Sequence, residues 1–343
     1  MKLRGTPQLP EANSFENRLR QRLMGSSPGS SGPALVDASI LMCDIRGFTR
    51  LSERFTASEI FDVLNAYYAR LLPLIDKYNG TVDKFIGDAL MAVSPAQTPQ
   101  QVLDTLRCAI ALQVEMELLN EEFENSLVDS LHMGIGINTG KVAAGSLGSD
   151  LYREFTVIGS EVNLASRVES YSMRGQILIS ENTYSICHRD IEIGSTYYVL
   201  PKGKTEKIRV FELTGISMPD FLQVHRVTRR KYVRVNVDLS LNFNIVEGKN
   251  ITDRVYDARV FDISYCGMGM YVKSPLELLT DIRVLLSMSI LGAGVTDIYG
   301  KIMRCEEDDK GFRHGLEFTA IDDQTHNAIK TFIDANIASN DTF

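Results

Sequence analysis

The sequence predicts two folds in tandem: an α/β domain in which helices layer a sheet, then a small antiparallel β-barrel with one C-terminal helix. From Ala34 to about Gly215 the apolar residues alternate between strand-like and helical spacing, the pattern of a layered sheet-and-helix domain. After Met218-Pro219 strand-like segments follow one another with no long helix between them, the pattern of a small barrel. At 343 residues the chain is long enough for two such cores. The expected boundaries are 1–33 for an N-terminal segment, 34–216 for the α/β domain and 217–343 for the barrel.

In the N-terminal segment Phe15, Leu19 and Leu23 fall at i, i+4 and i+8 among arginines. That stripe predicts an amphipathic helix that docks, or a tail that is helical only transiently. Gly25 to Pro33, rich in glycine and serine, is a flexible linker by composition. Ala38 to Met42 is an apolar strand. Thr56 or Ser58 caps a helix whose apolar face is Ile60, Val63, Leu64, Tyr67, Leu71 and Leu74, ending before Asn79-Gly80. Thr81–Ile86 and Ala89–Val93 form a hairpin on the two-residue turn Gly87-Asp88. A long helix runs from about Thr98 to Phe123. Leu131–Asn138 is a strand, Val162–Glu169 a helix and Ile177–Ser180 a strand, with Tyr197–Leu200 and Arg209–Leu213 as a closing β pair. The barrel strands are Tyr232–Val237, Leu239–Val246, Arg254–Ile263, Gly269–Val272, Ile282–Ile290, Thr296–Arg304 and Phe312–Phe318, and a helix from about Asp323 to Ile337 follows.

The net charge of −8 argues against nucleic acid as a partner, which would need a basic footprint. The five cysteines are scattered and lack C-x-x-C spacing, so they read as reduced thiols of a cytoplasmic protein. No apolar run approaches the ~20 residues of a membrane span, and no secretory signal is apparent at the N-terminus.

Two aspartates point to chemistry. Asp44 ends the first strand, and Asp88 sits at the hairpin tip. Together they offer hard oxygen ligands for one or two magnesium ions, as a phosphoryl- or nucleotidyl-transfer site requires. The stretch Gly134 to Lys141 is not a phosphate loop: its spacing is one residue too long, and Val142 stands where Ser or Thr is needed.

Asp44-Ile-Arg-Gly-Phe, Lys84-Phe-Ile-Gly-Asp88, Gly136-Ile-Asn-Thr-Gly140 and the run Thr156 to Arg167 occur in this order. Together they resemble the class III nucleotide cyclase catalytic domain, over about Val36 to Gly215. The resemblance implies a ferredoxin-like α+β domain and Mg2+ (or Mn2+), two ions per active site. Asp44, Asp88 and the carbonyl of Ile45 would hold the metal. It implies that Asn163 and Arg167 orient the ribose and stabilise charge on the α-phosphate, and that Lys204 contacts the terminal phosphates. Lys84 and Thr156 match the two positions that read the purine. An ammonium there suits the N1 acceptor of adenine, and a threonine hydroxyl can accept from its N6 amino group. ATP is therefore the expected substrate and cyclic AMP the product, with a guanylyl cyclase as the alternative. In this family the metal and base residues face each other across a dimer interface, so a homodimer is expected.

Arg229-Arg-Lys-Tyr-Val-Arg234 followed by Asp262-Ile-Ser-Tyr-Cys-Gly267 resembles the PilZ domain, which binds cyclic di-GMP. Arg229, Arg230 and Arg234 would supply forked donors to guanine edges and phosphates. Asp262 and Ser264 would project from one strand face, and Gly267 would permit a tight turn. A cyclase with such a barrel implies regulation by cyclic di-GMP; a catalytically weak cyclase serving as a cyclic di-GMP sensor is a further alternative.

Overall fold

A computed structural model describes residues 12–25, 33–48, 51–52, 55–123, 131–149, 151, 153–200, 206–217, 221–224, 234–248, 250–287, 295–309 and 311–340. The chain divides into two compact units.

The first unit is built on β1 (Ala34–Arg46), which pairs with β3 (Ala89–Pro95) on one side and along its whole length with β4 (His132–Gly148) on the other. The sheet order is β2-β3-β1-β4-β6-β8-β7, where β2 is Thr81–Ile86, β6 Ile177–Ser180, β7 Ile191–Val199 and β8 Ile208–Ile216. β4 and β6 run parallel, whereas β2–β3, β3–β1, β1–β4 and β6–β8 are antiparallel. β5 (Arg153–Ile158) hangs on the far end of β4, and β9 (Leu222–Gln223) on β8. β4 extends ten residues beyond Asn138, the end expected from the sequence, and β5 is an additional strand. Beyond Asn138 the strand runs through Gly140, Gly145 and Gly148, which break the apolar alternation.

Helix α1 (Ala12–Met24) docks. Leu19 and Leu23 are buried with Ile40, Met42, Val93, Ala144, Phe155 and Val157. Arg22 donates to Thr81 Oγ1 at 3.2 Å and to the Gly80 carbonyl, and pairs with Asp76 at 2.9 Å. Helix α2 (Ala57–Lys77) starts from Thr56, whose hydroxyl accepts from the Glu59 N–H while the Glu59 carboxylate accepts from the Thr56 N–H. Its buried stripe is Val63, Tyr67, Leu71 and Ile75. The helix runs past Pro73 and stops at Asn79, φ 65°, ahead of Gly80. Helix α3 (Pro99–Phe123) matches its expected span. Helix α4 (Ser160–Tyr171) lies on β4 so closely that a Cβ on Gly136 would stand 2.1 Å from the Glu169 nitrogen. Helix α5 (Glu181–Cys187), capped by Ser180, is too short for its periodicity to be seen in advance.

The second unit is a closed six-stranded barrel in the order β10-β11-β12-β15-β14-β13. These strands are Val235–Glu247, Asn250–Ser264, Gly267–Val272, Gly311–Ile321, Val295–Asp308 and Asp281–Ser287. Bulges such as those at Asn236/Leu239 and Val260/Asp262 supply the bends that closure needs. The first of these carries one strand through Asp238, where the sequence suggested two. Ile329 and Ile333 of α6 (Asp323–Asn340) are buried in the barrel core with Phe243, Met268 and Phe318. Among the described residues no helix is long and apolar enough to cross a membrane.

Candidate functional site

The end of β1 and the tip of the β2–β3 hairpin converge. Ile86 pairs with Ala89, leaving Gly87 and Asp88 as the turn, with Gly87 at φ +66°, a conformation glycine adopts freely. The Asp88 carboxyl lies within hydrogen-bond reach of Asp44 and accepts from its own N–H and from that of Ile45. Burial, and then the Asp44 charge and hydrogen bond, push Asp88 up to about 7. Arg46 holds Asp44 at 3.1 Å on one side and on the other bonds the Glu169 carboxylate, the Glu169 carbonyl at 2.9 Å and Ser172 Oγ at 2.7 Å. Arg46 thus ties β1 to α4, a role that sequence reasoning missed.

Two close carboxylates, one of them reluctant to ionise beside the other, fit a hard divalent cation. No three His, Cys, Asp or Glu side chains cluster as a metal cage among the described residues. Two carboxylates do not fill the shell of about six oxygens around such an ion, so further oxygen ligands would be needed to complete it.

Asn163 and Arg167 lie four apart on α4, Asn163 exposed and Arg167 half-buried. Among the described residues neither side chain has a hydrogen-bond or ion-pair partner, so both remain available to a ligand.

Lys84 and Thr156 both reach the Asp83 carboxylate, although β2 and β5 are distant in sequence. Thr156 Oγ1 donates to Asp83 Oδ1 at 3.0 Å and Oδ2 at 2.8 Å. Lys84 Nζ lies 3.4 Å from Asp83 Oδ2 and 3.2 Å from Glu154 Oε1. Asp83 and Glu154 were not singled out in the sequence, because their meeting depends on how β5 folds back. Lys204 lies outside the described residues.

In the barrel, Arg234 Nη1 meets Asp262 Oδ1 at 2.5 Å. Ser264 is buried, and its hydroxyl donates to the Gly267 carbonyl at 3.1 Å across the β11–β12 turn. Gly267 and Gly269 are packed tightly: a Cβ would stand 2.3 Å from the Leu316 carbonyl oxygen at the first and 2.7 Å from Asp262 Oδ1 at the second. A groove of about 770 Å³ beside this region is lined by Asp238, Arg259, Phe261 and Tyr271 among others. Arg229 and Arg230 lie outside the described residues.

Residues 33–215 match the adenylate and guanylate cyclase catalytic domain, and residues 228–335 match the PilZ domain. The chain is 34% identical over 181 residues to the terminal-differentiation specific adenylate cyclase of Dictyostelium discoideum, covering 51% of this chain and 8% of that protein. It is 34% identical over 188 residues to an adenylate cyclase of Anabaena cylindrica, covering 51% of this chain and 36% of that protein. It therefore spans well under half the length of either relative. The crystal structure of the guanylyl cyclase Cya2 superposes with a TM-score of 0.54 at 32% identity, covering 56% of this chain and 99% of that one.

Proposed function

Because the chain belongs to the adenylate and guanylate cyclase family and carries a PilZ domain, we propose that it converts ATP to 3′,5′-cyclic AMP and pyrophosphate under control of cyclic di-GMP. The observation that carries the choice of ATP is the convergence of the Lys84 ammonium and the Thr156 hydroxyl on one carboxylate, Asp83, which sets a donor near a group able to accept. Adenine offers the matching acceptor at N1 and donor at N6, and a polar pocket rejects a mispaired base by leaving groups unsatisfied.

Asp44, Asp88 and the Ile45 carbonyl would hold two Mg2+ (or Mn2+) ions, which supply Lewis acidity toward the ribose 3′-hydroxyl and the triphosphate. Asn163 orients the ribose, and Arg167 donates to the α-phosphate as charge gathers there. Arg46 holds Asp44 while bonding α4, so the carboxylate and the Asn163/Arg167 helix keep a fixed spacing within one chain. Lys204 is assigned to the terminal phosphates.

We place each complete site between two copies, with metal-binding residues from one protomer and base-reading residues from its partner. The exposed Ile86, Leu147 and Leu151, on the hairpin and the β4–β5 arm, are apolar surface for a second copy to cover. In the barrel, Arg229, Arg230, Arg234 and Asp262 are assigned to cyclic di-GMP, with Ser264 and Gly267 shaping the turn beside it. Ligand binding would shift the cyclase by a coupling of about 1–3 kcal/mol.

One contact favours a second reading, a guanylyl cyclase. Glu154 places a carboxylate beside Lys84, and that pair could take guanine's N1–H and O6. Turnover of ATP and of GTP in magnesium, each with and without micromolar cyclic di-GMP, separates the two. Cyclic AMP formation that responds to the ligand is the expected result. Cyclic GMP as the main product would refute the choice of base, and a ligand that binds without changing either rate would refute the regulation.

A further inference from the structure

Asp83 stands immediately before the Lys84 motif. β2 bulges at this point, with Val82 opposite Ala92 but Lys84 already opposite Met91, so Asp83 is the extra residue. Its side chain is wholly covered. Three donors surround the carboxylate: the Thr156 hydroxyl, the Lys84 ammonium and the Val157 N–H. Burial raises its pKa, and these donors pull the other way. An ionised carboxylate only accepts, so the direction of each of these hydrogen bonds is fixed.

We propose that Asp83 is a positioning residue that sets the polarity of the base-reading pair: it takes the one hydroxyl hydrogen of Thr156 and leaves Thr156 Oγ1 as an acceptor beside the Lys84 donor. This rests on the adenine reading above. Adenine presents an acceptor at N1 and a donor at N6, which match Lys84 and Thr156 so fixed. Guanine presents a hydrogen at N1 and lone pairs at O6, so in the same position donor meets donor and lone pair meets lone pair. Without Asp83 the Thr156 hydroxyl is free to turn and donate to O6, and discrimination falls. Thr156 is only 2% exposed, whereas the Lys84 side chain is 36% exposed. The ammonium, held between Asp83 and Glu154, is the movable cover that turns to N1 as the base enters.

The test is kcat/KM for ATP and for GTP in the full-length protein, its Asp83→Ala, Asp83→Asn and Thr156→Val variants, and the Asp83→Asn/Thr156→Val double variant. The ATP-to-GTP ratio should fall about tenfold in both Asp83 variants, the scale of one reversed buried hydrogen bond. In the Thr156→Val background Asp83→Asn should leave the ratio where it is, since the two residues act as one. A merely structural Asp83 would lower both nucleotides together at constant ratio, and that result overturns the proposal. If Asp83→Ala does not fold, Asp83→Asn keeps the shape of the side chain, and its single carbonyl oxygen cannot serve all three donors. The wild-type measurement stands apart: a preference for GTP refutes the adenine reading and the inference with it. An ATP-preferring wild type with an unchanged ratio in the variants refutes Asp83 alone.

Discussion

Gly136→Ala is a one-methyl test of how α4 is seated. Gly136 sits in the first half of β4, opposite Met42, and α4 crosses directly above it. A Cβ there would stand 2.1 Å from the Glu169 nitrogen and 2.4 Å from its Cα, whereas ordinary contact begins at 3.4 Å. The neighbours are backbone, so the helix must move by about 1.3 Å, because no side chain can rotate out of the way. Overpacking of this kind costs about 1–3 kcal/mol, more than the ~0.5–1 kcal/mol gained by replacing glycine inside a strand. For a domain of this size that is a loss of roughly 2–8 °C in Tm. The same movement displaces Asn163, Arg167 and the Glu169 anchor of Arg46, and a misplacement of ~1 Å costs on the order of a hundredfold in turnover. Thermal unfolding, turnover and cyclic di-GMP binding should be measured on the same preparation. The expected pattern is a lower melting transition, turnover down by one to two orders of magnitude and unchanged cyclic di-GMP affinity. Wild-type turnover with a wild-type transition would show that α4 does not rest on Gly136, and the spacing argument for Asp44 and Arg167 would fail with it.

Asp44→Asn should lower turnover by at least about a hundredfold while cyclic di-GMP titration is unaffected; lost ligand binding would show that the two domains do not act independently. His314, buried in the barrel, accepts from the Leu276 N–H at Nε2 and has Nδ1 3.0 Å from the Phe312 carbonyl, so it is held neutral. Burial depresses its pKa below the ordinary 6.5, so the unfolded chain takes up a proton first as pH falls. The stability it contributes is complete above about 6.5 and is lost below that value, so the barrel should melt lower at pH 5.5 than at 7.5, and His314→Gln should flatten the difference. Leu19→Ala, at a position 1% exposed under α1, should cost about 2–5 kcal/mol in a denaturant titration of the cyclase unit, and no change would mean that α1 is not held there.

The parts that were legible in the sequence are those set by local chemistry. Thr56 or Ser58 announces the start of α2, and Gly87-Asp88 announces a two-residue hairpin before any pairing is known. Asp44 and Asp88 stood out because a strand end and a turn are places where carboxylates reach a common ligand. The long half of β4 escaped notice because its glycines interrupt the alternation, and β5, which carries Thr156, went with it. Asp83 was invisible for a different reason: an acidic residue in a short strand looks solvated until a bulge and a distant strand enclose it. Arg46 reads as part of a motif, and only the packing of α4 shows that it bonds Glu169. At Asp262 and Ser264 the alternation suggested two side chains on one face; the structure keeps Asp262 against Arg234 and turns the Ser264 hydroxyl inward to Gly267.

The two sheets differ in how they end, and this bears on how the protein behaves when crowded or partly unfolded. A ring of six strands has no row of unsatisfied N–H and carbonyl groups, so the barrel cannot extend itself by recruiting a foreign strand. The open sheet has such margins at β2 and β7. At β2 the margin is interrupted by a bulge, carries Asp83 and Lys84, and is gripped at its start by Arg22 of α1. The charges that serve the nucleotide site therefore also discourage strand-to-strand aggregation, and substitutions that make β2 flatter and more apolar would be expected to reduce solubility before they reduce stability.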